Sequence, residues 1–358
     1  MRYDLIVIGS EPAGQTGAIA AANLGKSVAL IESPPKSLGG VCRPTGTISS
    51  KAFREAVMML TGSRHREVDP ESFERRRKVP VKKLRRLANQ VITRESNIIR
   101  QELEANGVEI YSGHARFVGT HEVEVLDSAT EAPVLSADQI LIAVGTRPAR
   151  PAHIPFDGQV ILDSEELLNL NRIPRSMLVI GGGVVGLEYA MLFALLGCQV
   201  TVTGSDERLL AFCDREIVNI LAEQGRGLGQ CFWLREKLRS VVRLNDESAA
   251  VTFEDGRQIM TESVLYAAER RGNTDSLNLE AAGFTADEQG RLWCNDFQQT
   301  WTKHIYGAGD VVGFPTLASD SMDQGRRAIC HAFHQPLPAT KRMPYGFDTT
   351  PEVAMIAT

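Results

Sequence analysis

Leu178-Val179-Ile180-Gly181-Gly182-Gly183-Val184-Val185-Gly186 decides the fold. Three apolar residues read as a strand, and a G-x-G-x-x-G turn follows at once. The helix Leu187–Leu196 comes next, and Gln199–Thr203 reads as a second strand. In that order each glycine has its own task. Gly181 allows the tight turn, Gly183 lets main chain approach a pyrophosphate, and Gly186 lets helix and strand pack closely. The helix N-terminus then faces the anion. The bland alternative is a Rossmann unit that has lost its ligand. The stretch Met177–Thr203 is apolar enough to resemble a membrane span, but its glycines and Glu188 break it into strand, turn and helix.

No acid stands at the end of the second strand, where Thr203-Gly204-Ser205 is found. An acid there would hold the ribose hydroxyls of NAD and repel a 2′-phosphate. Its absence permits NADP, with Ser205 and Arg208 as candidate partners; Arg208 reads equally as a surface residue.

The N-terminus repeats the same unit in type. Asp4-Leu5-Ile6-Val7-Ile8 is a strand, Gly9-Ser10-Glu11-Pro12-Ala13-Gly14 is the turn, and an alanine-rich helix runs to Leu24 and stops at Gly25. Ser27–Ile31 is the second strand, and Glu32 at its end is placed for a ribose. The outer glycines of the turn, Gly9 and Gly14, are present. Glu11 replaces the middle one, which puts a side chain and a negative charge where a pyrophosphate should approach.

Composition narrows the function classes. The 358 residues suffice for two or three domains, and a formal charge of −5 gives no case for nucleic acid or an anionic membrane. The densest basic run, Arg75-Arg76-Arg77-Lys78, has acids beside it and reads as a solvated face. The six cysteines form no C-x-x-C pair, so no metal site or disulfide framework is indicated. A reducing, cytoplasmic setting is expected, with no signal peptide ahead of the first strand. Pro80–Asn106 has helical apolar spacing and is expected on a domain surface. Short strands are expected at 109–111, 115–118, 123–126 and 139–144, and Pro148–Ala152 reads as a linker. The tail after Gln335 is proline-rich and ends in a strand.

Two further segments carry chemistry. Gly39-Gly40-Val41-Cys42-Arg43-Pro44-Thr45-Gly46-Thr47-Ile48-Ser49-Ser50-Lys51 places one cysteine where a redox pair needs two, because Thr47 stands five positions after Cys42. Ile305-Tyr306-Gly307-Ala308-Gly309-Asp310 ends a strand in a glycine turn with an aspartate suited to a sugar-alcohol chain.

Taken in order, the first turn with Glu32, the Gly39–Lys51 segment, Ala143-Val144-Gly145-Thr146-Arg147-Pro148, the second turn with Glu188, and Tyr306–Asp310 resemble the two-dinucleotide-binding flavoprotein reductases. Within that group the Thr47-Ile48-Ser49-Ser50-Lys51 pattern is similar to the soluble pyridine nucleotide transhydrogenases. Arg208–Phe212, Gly272–Leu277, Leu317-Ala318-Ser319 and Asp323–Arg326 match them as well. The resemblance implies an α/β fold of two Rossmann-like domains, the second inserted in the first. An FAD-binding domain is expected over 1–150 and 292–345 and an NAD(P)-binding domain over 151–291. Residues 346–358 would begin an interface domain, which in the family makes a homodimer and which ends early here.

The resemblance also implies site residues. FAD would lie against Gly9, Gly14, Glu32, Gly40, Val41, Cys42, Lys51, Ala115, Gly145, Asp310, Leu317 and Ala318. NAD(H) or NADP(H) would lie against Gly181, Gly183, Val184, Val185, Gly186, Glu188, Gly204, Ser205, Arg208, Arg270 and Gly272. Lys51 would stand near the flavin N5 and pair with Glu188, with Cys42 and Thr47 close by. Thr47 has no redox chemistry, which argues against reduction of a disulfide substrate and for hydride transfer between NADPH and NAD+. The family's Gly-Arg is Glu269-Arg270 in this chain. Two other readings stay open: an inactive nucleotide-binding remnant or scaffold, and a dihydrolipoamide dehydrogenase-like diaphorase.

Overall fold

The computed structural model describes residues 1–33, 38–40, 47–61, 81–127, 133–313, 316–337 and 344–356, with 47 and 48 by main chain only. Two sheets organise it, the first mixed and the second parallel. In the first, β1 (Arg2–Ile8), β2 (Val28–Glu32), β3 (Glu109–Ser112), β4 (His114–Gly119), β5 (Glu122–Leu126) and β6 (Val134–Ile142) run in the order β3-β2-β1-β6-β5-β4, with β4, β5 and β6 paired antiparallel. β17 (Ile305–Gly307) pairs in parallel with β6, so the chain returns to this sheet after leaving it for 150 residues and more.

The excursion builds the second sheet. β8 (Ile161–Asp163), β9 (Ser176–Ile180), β10 (Gln199–Gly204), β11 (Cys231–Leu234) and β15 (Ser263–Tyr266) run in the order β11-β10-β9-β15-β8, all parallel. The fold is therefore α/β, with two Rossmann-like units and the second inserted in the first. An antiparallel sheet of β12 (Leu238–Asn245), β13 (Ser248–Phe253) and β14 (Gln258–Thr261) covers part of the second unit.

Strand burial explains the long apolar runs. Leu5, Val7, Val28 and Leu30 face one side of the first sheet, where α1 (Pro12–Asn23), α3 (Val81–Ala105) and α6 (Ala318–Ala332) pack. Ile6, Ile8, Ala29 and Ile31 face the other, against β4, β5 and the 277–292 segment. A parallel sheet covered on both faces needs apolar residues at every position, not at alternate ones. Gly325 lets α6 cross α1 closely, since a Cβ there would stand 2.2 Å from the carbonyl oxygen of Ala13.

In the second unit α4 (Val184–Leu195) is apolar nearly all round and buried from Leu187 onwards except at Glu188. It is a core helix, as its composition demands. Phe53 and Val57 of α2 (Thr47–Thr61) and Tyr345, Phe347 and Val353 of the β18–β19 hairpin (Pro344–Phe347, Val353–Ile356) join the same cluster. No helix among the described residues is long and apolar enough to cross a membrane.

The expected surface helix is α3, whose buried residues are Leu84, Ala88, Ile99 and Leu103. The expected linker Pro148–Ala152 is partly ordered into the fold. β7 (Thr146–Pro148) pairs antiparallel with β16 (Arg270–Gly272), and Ala149 is buried. The crossings between the two units are stitched together here, so the first residue of the run, Pro148, ends a strand. The basic run 75–78 lies outside the described residues.

Candidate functional site

Each sheet ends in a glycine turn, and the two turns are built alike. A Cβ on Gly9 would stand 2.4 Å from the carbonyl oxygen of Ala143; one on Gly181 would stand 2.5 Å from that of Ala267. A Cβ on Gly14 would meet the carbonyl oxygen of Gly9 at 2.1 Å, and one on Gly186 would meet that of Gly181 at the same distance. Strand and helix thus touch through main chain in both units. At the middle position the turns diverge. A Cβ on Gly183 would find nothing within 4 Å, whereas the first turn carries the Glu11 side chain.

Beside the first turn lies a cavity of about 480 Å³, lined by Gly9, Glu11, Glu32, Gly40, Ala115 and Asn273 among others. Ser10 fixes Glu32 there: its N–H and its hydroxyl both donate to Oε2, at 2.6 and 2.5 Å. The N–H of Ser33 donates to Oε1 at 2.9 Å, and the N–H of Gly39 donates to the Ser10 hydroxyl at 2.7 Å. The carboxylate at the end of β2 is thereby held at the cavity wall. Glu165 also lines this cavity, and burial pushes its carboxyl up, although nearby Arg270 opposes it.

A second cavity of about 450 Å³ brings together residues of both units: Lys51, Val184, Val185, Glu188, Arg270 and Asp310, with Leu317 and Ala318 at the start of α6. Burial pushes the Asp310 carboxyl up; the Arg270 charge works against it. Glu188 is pushed up to about 7, by burial first and by the Asp348 charge, while the Asp348 N–H, Lys51 and Arg54 hold it down. Arg270 is fixed by donating to the hydroxyl and carbonyl of Thr146, at 2.8 and 2.9 Å.

Asp348, which sequence reasoning missed, is the hub of this cavity. Its N–H donates to Glu188 at 2.7 Å, its carboxylate lies 3.3 Å from Lys51 Nζ, and its carbonyl accepts from Arg54 at 3.1 Å. No direct ion pair joins Lys51 to Glu188 among the described residues; the expected pair is bridged by Asp348 instead. The hairpin carrying Asp348 is brought in by apolar packing of Tyr345 and Phe347, and a reading of local motifs has no signal for that.

Other expected contacts are placed as follows. Gly145 and Gly40 flank Glu11, whose Oε1 would stand 2.7 and 2.5 Å from a Cβ on each. Gly204 ends β10 opposite the second turn, and Ser205 is exposed. The Arg208 guanidinium donates to the carbonyls of Ala211 and Cys213 and so closes its own loop. Gly272 serves packing: a Cβ there would stand 1.9 Å from the carbonyl oxygen of Gly290. Val41, Cys42 and the Thr47 side chain lie outside the described residues.

These residues fit FAD at both of its ends. Glu32 on the first cavity wall suits the ribose of an adenosine half. In the second cavity Asp310 suits a polyol chain, and Lys51 supplies positive charge. The two linings share one residue, Glu11, so the seam between the halves is where its carboxylate stands.

Two glycine-turn nucleotide units that meet over a common cavity define a flavoprotein oxidoreductase working with pyridine nucleotides. The chain belongs to the pyridine nucleotide-disulphide oxidoreductase family, whose model matches residues 3–325. FAD and NAD(P)(H) are the cofactors this membership brings. Among its relatives, the soluble pyridine nucleotide transhydrogenase of Mycobacterium bovis is 43% identical over 99% of this chain and 76% of its own length. That of Hahella chejuensis is 36% identical, over 99% of this chain and 76% of its own length. Two solved structures share the fold. LpdA from Mycobacterium tuberculosis has a TM-score of 0.90 at 24% identity, covering 100% of this chain and 78% of its own. The HOCl-induced flavoprotein disulfide reductase RclA from Escherichia coli has a TM-score of 0.83 at 25% identity, covering 99% of this chain and 78% of its own.

Proposed function

We propose that this chain transfers hydride from NADPH to NAD+ through FAD, as a soluble pyridine nucleotide transhydrogenase. One hydride leaves NADPH and one arrives on NAD+, so the overall exchange needs no further oxidant or reductant. The observation that carries the proposal is the second cavity. It joins Lys51, Asp310, Leu317 and Ala318 of the first unit to Val184, Val185 and Glu188 of the second. No cysteine among the described residues lines it, and position 47 is threonine. Similarity to the transhydrogenases points the same way.

Bound FAD supplies the two-electron carrier. The protein's part is to hold two rings in register and exclude water. Glu32 would take the ribose of the adenosine half, Asp310 the polyol chain, and Lys51 would stabilise negative charge that develops on reduction. Gly183, with open space above it, would let the α4 N-terminus receive a nicotinamide nucleotide's pyrophosphate. Domain limits of 1–150 with 292–345 and of 151–291 follow from this division of labour. The cytoplasm is the compartment we assign. Among the described residues, the cysteines at 213, 231, 294 and 330 carry free thiols.

The test is an assay with NADPH and thio-NAD+ as acceptor, run with added FAD, beside parallel assays with lipoamide and glutathione disulfide. Transfer to thio-NAD+ alone is the expected result; turnover of either disulfide would replace the proposal with a disulfide reductase. Glu11 favours a second reading, the inactive remnant, and the absence of every activity at saturating FAD would select it.

A further inference from the structure

The middle of the first turn is occupied by this chain's own anion. In the second turn the equivalent position, Gly183, is bare, with nothing within 4 Å of where its Cβ would be. In the first, the Glu11 carboxyl lies in a trough between Gly40 and Gly145. A Cβ on Gly40 would stand 2.5 Å from its Cδ and Oε1, and one on Gly145 would stand 2.7 Å from Oε1. Gly40 and Gly145 have φ of +57° and +62°, so the trough is built of main chain that side-chain-bearing residues rarely adopt. The trough runs beside the N-terminus of α1, which Glu11 caps without a side-chain bond to the helix's own N–H groups. Main chain shaped around an anion at a helix N-terminus is the setting for a pyrophosphate. Here it surrounds a carboxylate.

Position makes the contact consequential. Glu11 is the one residue that lines both cavities among the described residues. A dinucleotide with one end at Glu32 and the other at Lys51 and Asp310 has to cross where the carboxylate stands. Neither end of the site is blocked, and the side chain is partly exposed and unbranched, so it has somewhere to turn.

We propose that Glu11 competes with the FAD pyrophosphate for this trough, so that the chain takes up flavin as an exchangeable ligand and does not retain it. This rests on the FAD-dependent function proposed above. Two negative groups within a few ångströms repel strongly at a partly buried site, and removing one strengthens binding by orders of magnitude.

The experiment is an FAD titration of the wild-type chain, Glu11→Gly and Glu11→Gln, read by quenching of flavin fluorescence, with a thermal melt of each protein without FAD. The glycine variant opens the trough; the near-isosteric glutamine removes charge alone and guards against a folding fault in the first variant. Wild type should lose its flavin on desalting, and both variants should bind FAD more tightly, Glu11→Gly by roughly 30-fold or more. Equal affinities in all three proteins would overturn the competition while leaving FAD-dependent catalysis intact. No FAD binding by any of the three would overturn the competition and the proposed function together.

Discussion

The N–H of Asp348 donates to Oε1 of Glu188 across 2.7 Å, from a hairpin 160 residues further along the chain. Its carboxylate, 3.3 Å from Lys51 Nζ, faces the same cavity. One residue therefore touches both members of the pair that sequence reasoning joined directly. Glu188 consequently keeps a negative neighbour as well as a positive one, and burial dominates its titration.

That balance has a pH consequence. The Glu188 carboxyl is raised in the folded chain to about 7. Its contribution to stability is complete below its unfolded value and is lost as pH rises through 7. Solvent reaches part of the side chain, so the loss is held to about 1–3 kcal/mol. Urea unfolding at pH 5 and pH 8 should show this drop in wild type and a smaller one in Glu188→Gln. In Asp348→Asn the drop should be smaller and complete at lower pH, because the charge that raises Glu188 is gone and Lys51 is released. Identical pH dependence in all three proteins would remove Glu188 from the account.

Two glycines of the second turn, Gly183 and Gly186, should separate folding from binding. Gly183→Ala adds a methyl into open space and should change stability by less than about 1 kcal/mol. It should nevertheless weaken nicotinamide nucleotide binding, measured by calorimetry. Gly186→Ala forces a Cβ against the carbonyl oxygen of Gly181 and should cost at least about 2 kcal/mol by chemical denaturation.

Lys51 should matter to catalysis far more than to folding. More than half of its side-chain surface is exposed, 56%, and the ion pair with Asp348 is worth at most about 1 kcal/mol. Lys51→Met should leave the melting temperature nearly unchanged and lower hydride transfer by roughly 10- to 100-fold, the scale of losing one charge-stabilising donor. A melting temperature that falls in step with the rate would make Lys51 structural.

The nucleotide turns were legible because their chemistry is local. Strand, glycine spacing and helix lie within one short segment, and main chain geometry there follows from residue type. Glu32 and Asp310 were legible for the same reason, each sitting at the end of a strand whose apolar run announces it. Asp348 was not, since its place depends on Tyr345 and Phe347 packing into a core shared with Phe53 and Val57. Pro148 misled because proline ordinarily signals a loop, yet β7 pairs with β16 alone among the described residues, in a short two-stranded ribbon. Gly272 was grouped with the ligand contacts, and its close approach to Gly290 shows a packing duty that spacing cannot distinguish from a binding one.

The central claim is that hydride passes between two nicotinamide nucleotides only with flavin in the paired cavities. It is tested most directly by titrating the wild-type chain with FAD while following NADPH-dependent reduction of thio-NAD+ and flavin fluorescence together. The account predicts no transfer without FAD, and a rate that saturates along the same curve as the fluorescence. Transfer that is independent of FAD, or none at all once the fluorescence shows the site filled, would contradict it.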